Sequence, residues 1–291
     1  MPAQIIHYLH AKEVKKKIEK ENNIKLYSPA FYFGAQGADF FFTHRILPWM
    51  KAEKINHYGS KFHQLKPLAL LETMKDYVLK NQDKSLTSYF FGFVCHYILD
   101  SVCHPYIDAT ARELAEIEPK QTAKILHFEV ESYLEAIIYG EKTGKLASEL
   151  NLGKFFSIDS DTITLVVDLY HYLIKEFFKK NVDKKLIEQA ILDAKYVRGK
   201  MTDKTGIKRE FLLFLELGGL RKMSAHLIPI KNLDDFDWTN SSRSNWVNAQ
   251  GEISDDSFNI LYEKSIKKAV FVINSMKSKK LSKLIDNTPF R

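Results

Sequence analysis

Apolar residues recur along most of this chain at intervals of three and four, the period of an amphipathic helix, and almost nowhere in the strict alternation of a strand. The pattern predicts helices over 3–21, 63–80, 86–104, 121–139, 161–179, 183–196, 207–220 and 255–282. Residues 24–50 (IKLYSPAFYFGAQGADFFFTHRILPWM) break the period. Their aromatic content, with Gly34, Gly37 and Pro48, reads as a buried irregular segment holding short helical pieces. Polar breaks fall at 140–154, 197–206 and 231–252, the last holding two of the three tryptophans. No repeat and no low-complexity tract interrupts the series. An all-α, multi-helix bundle forming a single domain over 1–291 is the expected architecture.

Composition narrows the picture only slightly. With 291 residues and 45% hydrophobic content the chain can bury a large core, so disorder is not expected. Lys and Arg exceed Asp and Glu by 43 to 36, giving a formal charge of +7, but the surplus is spread over many Lys-rich helical stretches and forms no nucleic-acid recognition motif. Only two cysteines occur, Cys95 and Cys103, which is not a disulfide framework. The first twenty residues have no leader-like apolar segment, and no apolar run of 18 or more residues is seen, so a soluble cytoplasmic protein is expected.

The polar residues on the apolar helices change the picture more. In HYILDSVCHPYID (96–108), His96, Asp100 and His104 are each four apart, and about 3.6 residues per turn puts them nearly on one face; Pro105 suggests that the helix ends beside His104. A second pair, His127 and Glu131 in HFEVE, has the same spacing. A histidine and a carboxylate so arranged can grip one cation without distorting the helix, and two pairs plus His104 offer more donors than one tetrahedral ion needs. The bland alternative for each pair is a buried imidazole hydrogen-bonded to its neighbour. Asp39, in an aromatic Gly-containing stretch, is either a helix cap or a ligand. His7 and His10 share the first helix, and His57 and His63 bracket NHYGSKFH. Imidazole with carboxylate suits Zn²⁺. Cys95 and Cys103 are rotated about 100° per residue off the His96 and Asp100 face and read as buried thiols.

Taken together, QIIHYLHAKEV, GAQGAD, GSKFH, HYILDSVCHPY and HFEVE resemble the zinc-dependent phospholipase C family, which includes secreted bacterial phosphatidylcholine-cleaving enzymes and the catalytic domain of the clostridial alpha-toxin. The resemblance implies an all-helical fold around two or three zinc ions. One ion would take Asp39, His63, His96 and Asp100, with His57 and His44 as alternatives to His63. A second would take His104, His127 and Glu131, and a third His7, sharing Asp100 as a bridge. Asp39 would also be the general base. The implied reaction is cleavage between glycerol and phosphate, with phospholipid or another phosphodiester as substrate and peripheral membrane contact compatible with it. Secreted members ligate zinc through an N-terminal tryptophan freed by leader removal, whereas this chain starts MPAQ and shows no lipid-binding domain after 260, which points to the intracellular branch. The competing expectations are a zinc phosphoesterase acting on a soluble substrate and a non-catalytic, metal-stabilised helical binding protein; no nucleic acid is expected.

Overall fold

In a computed structural model, which describes residues 3–51, 53–230, 236–276, 278–285 and 287–290, ten α-helices carry the fold. They are α1 (Gln4–Asn22), α2 (Ser28–Gly34), α3 (His57–His63), α4 (Pro67–Asn81), α5 (Lys84–Ile117), α6 (Ala123–Thr143), α7 (Ser160–Phe178), α8 (Lys184–Lys200), α9 (Ile207–Glu216) and α10 (Phe258–Ser275). The only strands among the described residues are a two-residue antiparallel pair, β1 (Trp246–Val247) with β2 (Ile253–Ser254).

The helices begin where the sequence supplies caps. The side chains of Asp83, Thr122, Asp159 and Ser257 accept from backbone N–H groups that open α5, α6, α7 and α10 and have no intrahelical partner. The expected 63–80 helix begins later than expected: His63 instead ends α3, and Pro67 opens α4, where its missing N–H costs nothing. The 24–50 segment contains α2 and a 3₁₀ turn at Asp39–Thr43.

The largest departure is at Pro105. The expected helix end there is wrong: α5 runs through it for 34 residues, so His104 lies in mid-helix. Proline removes one N–H donor and crowds the carbonyl four residues earlier. Neighbours packed beside this gap hold the helix together, with His104 against Glu131 of α6 and Tyr106 against Phe258 of α10.

α5 is the axis of the molecule, and α1, α2, α4, α6, α7 and α10 all pack on it. It is long and apolar enough to cross a membrane, contrary to the expected lack of such a run, but 83% of that stretch is buried inside the protein. α2 reaches it through two glycines. A Cβ on Gly34 would lie 2.0 Å from the Tyr89 carbonyl oxygen, and one on Gly92 would lie 2.0 Å from that of Phe31, so the two backbones touch as only glycine permits. Large aromatics fill the surrounding core, among them Tyr89 and Tyr170, whose hydroxyls pair at 2.8 Å. Cys95 and Cys103 are free, buried thiols, pushed up by burial.

Candidate metal centre

The row of donors on α5 faces a space enclosed by α1, α3, α6 and the Asp39 turn. His96 Nε2 lies 3.3 Å from Asp100 Oδ2, and His104 Nε2 lies 3.6 Å from Asp100 Oδ1. α1 brings His7 Nε2 to 3.2 Å from that same Oδ1, so Asp100 has imidazoles at both oxygens. On α6, His127 Nε2 is 3.5 Å from Glu131 Oε1, which is also 3.5 Å from His104 Nε2. At the other end, Asp39 Oδ1 stands 3.3 Å from His63 Nε2. His57 is exposed, and His44 accepts from the Ile55 N–H; neither joins a donor group, so His63 is the histidine beside Asp39.

Three sets of donors lie close enough to share an ion: His7, His96 and Asp100; Asp39, His63 and His96; and His104, His127 and Glu131. All eight residues singled out by the sequence therefore converge. Their grouping differs in two respects from that implied by the resemblance: the set containing Asp39 and His63 includes His96 but not Asp100, and His96 also joins His7 and Asp100. Met1 and Pro2, where family members with terminal ligands would supply them, lie outside the described residues.

The chemistry of these atoms fits a metal better than a hydrogen-bonded core. His63 Nε2, His96 Nε2, Asp39 Oδ1, Asp100 Oδ2 and both Glu131 oxygens are buried with no hydrogen-bond partner, a costly state for polar atoms. Separations of 3.2 to 3.6 Å are long for hydrogen bonds. They suit ligands on one tetrahedral zinc, whose bonds of about 2.0–2.1 Å put neighbouring donor atoms about 3.3 Å apart.

The ring orientations agree. His63 Nδ1 donates to the Gly59 carbonyl, His104 Nδ1 to the Phe290 carbonyl and His127 Nδ1 to Asp108 Oδ1, each at 2.8 Å. Each bond leaves the Nε2 lone pair facing the centre, the outer-shell arrangement of metal-binding histidines. Gly37, with φ at +59°, covers His96: a Cβ there would lie 2.3 Å from the ring's Nε2.

Electrostatics follow from this packing. Burial opposes charge on Asp100, yet His96, His104 and His7 hold its carboxyl well below the usual range. Burial likewise opposes charge on Glu131 and Asp39, but neighbouring imidazoles keep both low. Burial alone would lower His104, but Asp100 and Glu131 push it up to about 9, whereas burial pulls His96 down to about 4. His10, which shares α1 with His7, is fully buried with neither nitrogen partnered and lies outside every donor set.

A cavity of about 1220 Å³ leads from the surface to His63, His104, His127 and Asp108. Arg198 lines it too; only 3% exposed, its Nε has no partner and its Nη1 reaches only the Met201 sulfur, at 3.8 Å. A smaller depression of about 390 Å³ beside Glu118, Gln121 and Arg221 holds none of the candidate donors. Sequence reasoning missed Asp108, Arg198 and the Phe290 carbonyl. Asp108 had a signal, four residues after His104 on the same helix. The other two had none, since each is brought in from distant chain.

An all-helical protein built around a buried cluster of imidazoles and carboxylates able to hold metal is the class that fold and site define. The sequence model for the zinc-dependent phospholipase C family matches residues 3–197, two thirds of the chain, and the protein belongs to that family. No curated protein and no solved structure matches it.

Proposed function

We propose that the protein is a zinc-dependent phosphodiester hydrolase that cleaves the glycerol–phosphate bond of a phospholipid, releasing diacylglycerol and a phosphorylated headgroup. The observation that carries this reading is the clustering of three donor sets, two of which present His63, His104 and His127 to a cavity also lined by Arg198, which forms no ion pair among the described residues. Family membership supports zinc and a phospholipid at the coarser level.

His7, His96 and Asp100, then Asp39, His63 and His96, then His104, His127 and Glu131 would hold two or three zinc ions. Bound zinc acidifies a coordinated water and neutralises phosphoryl oxygens. Asp39 accepts the proton of the attacking water, in keeping with a carboxylate held ionised by its imidazole neighbours. Arg198 donates to the non-bridging phosphoryl oxygens, for which its planar fork is suited and for which no carboxylate among the described residues competes by ion pairing. Phe42, Leu47 and Leu212 on the cavity wall contact the glycerol end of the lipid.

The test is hydrolysis of short-chain phosphatidylcholine and a panel of other phosphodiesters by zinc-loaded protein, with metal content measured in the same samples. Release of diacylglycerol, lost on chelation and restored by zinc, is expected. Zinc-replete protein inactive on the whole panel would reject the enzymatic reading and leave the metals a structural role.

A further inference from the structure

Helix α9 turns its apolar stripe outward. Ile207, Phe211, Phe214 and Leu215 occupy positions i, i+4, i+7 and i+8, one face of a helix, yet they are 68, 57, 70 and 51% exposed, and no residue of α9 is buried. Leu217, immediately after it, is 80% exposed. A helix in water ordinarily buries such a stripe. Here polar tethers hold the helix instead: Arg209 pairs with Glu129, the Lys208 ammonium donates to the carbonyls of Lys200 and Thr202, and Glu216 accepts from Met223 N–H and the Ser224 hydroxyl. The segment lies beyond the stretch matched by the family.

The stripe meets the cavity wall at Phe211. Phe211, Leu212 and Met223 line the cavity together with Ile46, Leu47 and Pro48, and Trp49, next in sequence, is 66% exposed. Lys124, Lys200, Lys208 and Lys222 line the same cavity, all exposed, and none forms an ion pair with a carboxylate among the described residues. Apolar side chains beside the exposed ammonium groups of Lys124, Lys200 and Lys222 complement an anionic bilayer, into whose headgroup region such a helix sinks its apolar face. A protein partner seated here would close the route to the candidate metal centre, whereas a bilayer would supply substrate through it.

We infer that α9 and the 46–49 loop form a docking surface for membranes carrying anionic lipid. The choice of a bilayer over a protein partner rests on the phospholipid reading above. The test is cosedimentation of zinc-loaded protein with vesicles of phosphatidylcholine alone or with added phosphatidylserine, at low and high salt. Protein should partition onto phosphatidylserine-containing vesicles, less so at high salt, and Trp49 emission should shift to the blue. Combined Phe214→Ser, Leu215→Ser and Leu217→Ser substitutions, all at exposed positions off the cavity wall, should weaken partitioning by about tenfold or more. They should leave hydrolysis of a monomeric short-chain diester unchanged. Equal partitioning by parent and triple variant would overturn the inference. So would failure of the parent to bind vesicles, including the case in which light scattering finds a dimer that the substitutions abolish. Hydrolysis without vesicle binding sinks the membrane surface alone; vesicle binding without hydrolysis sinks the catalytic reading alone.

Discussion

At the scale of single residues, Asp39, Arg198 and Asp108 separate three tasks around one centre. Asp39→Asn keeps an oxygen that can ligate but loses the base, so hydrolysis should fall by about 10²- to 10⁴-fold while zinc content falls less than in His96→Ala. A zinc-loaded Asp39→Asn protein as active as the parent would assign the base elsewhere. Arg198→Met keeps the stem and removes the charge. It should raise KM and weaken inhibition by inorganic phosphate with zinc content unchanged, and unchanged phosphate inhibition would remove Arg198 from substrate binding. Asp108 touches no candidate ion site directly but fixes the tautomer of His127. Asp108→Asn should weaken zinc at the His104, His127 and Glu131 set by about 10- to 100-fold, read by competition with a chromogenic chelator. Undiminished affinity would make the Asp108 bond incidental.

At the scale of elements, the close contact of α2 with α5 sets where Asp39 can stand, because the Asp39 turn follows directly from α2 while His96 is carried on α5. Gly92→Ala would drive a methyl group into the Phe31 carbonyl. The helices must then separate, at a cost of about 3 kcal/mol, read as a lowered denaturation midpoint together with reduced zinc at the Asp39 set. Normal stability in this variant would mean that the two helices part freely. This contact was invisible in the sequence, where Gly34 and Gly92 are unremarkable glycines 58 positions apart by their numbering. What was legible came from period: the donors His96, Asp100 and His104, and His127 and Glu131, were found because four residues make about one turn. The end assigned to α5 at Pro105 failed because proline's local penalty was weighed without the tertiary packing that outweighs it. The outward face of α9 was hidden for a related reason, since periodicity predicts that a stripe exists but not which way it faces.

At the scale of the whole molecule, the centre couples stability to pH differently with and without metal. In metal-free protein His104 is raised to about 9, so its contribution is complete below the unfolded value near 6.5 and is lost as pH rises through 9. The lowered carboxylates, Asp100 and Glu131, act at the other end: their contribution is present above the ordinary carboxylate range and is lost as pH falls through it and below. Metal-free protein should therefore lose stability between pH 7 and 10, on the order of 2 kcal/mol from His104. Zinc takes the place of the proton, so the zinc-loaded protein should not show this loss, and zinc uptake at pH 7 should release protons measurable by calorimetry in buffers of different ionisation heat. A parallel pH dependence in both forms would mean that His104 is not a ligand. The hydrogen bond from His104 to the Phe290 carbonyl spans 186 residues, and it gives assembly of the centre an order in time. During synthesis α5 and α6 emerge with most of the donors, but the carbonyl that orients His104 follows 186 residues after it. A nascent chain can therefore collect imidazoles and carboxylates long before it can finish the site, and the last step of metal capture waits on translation.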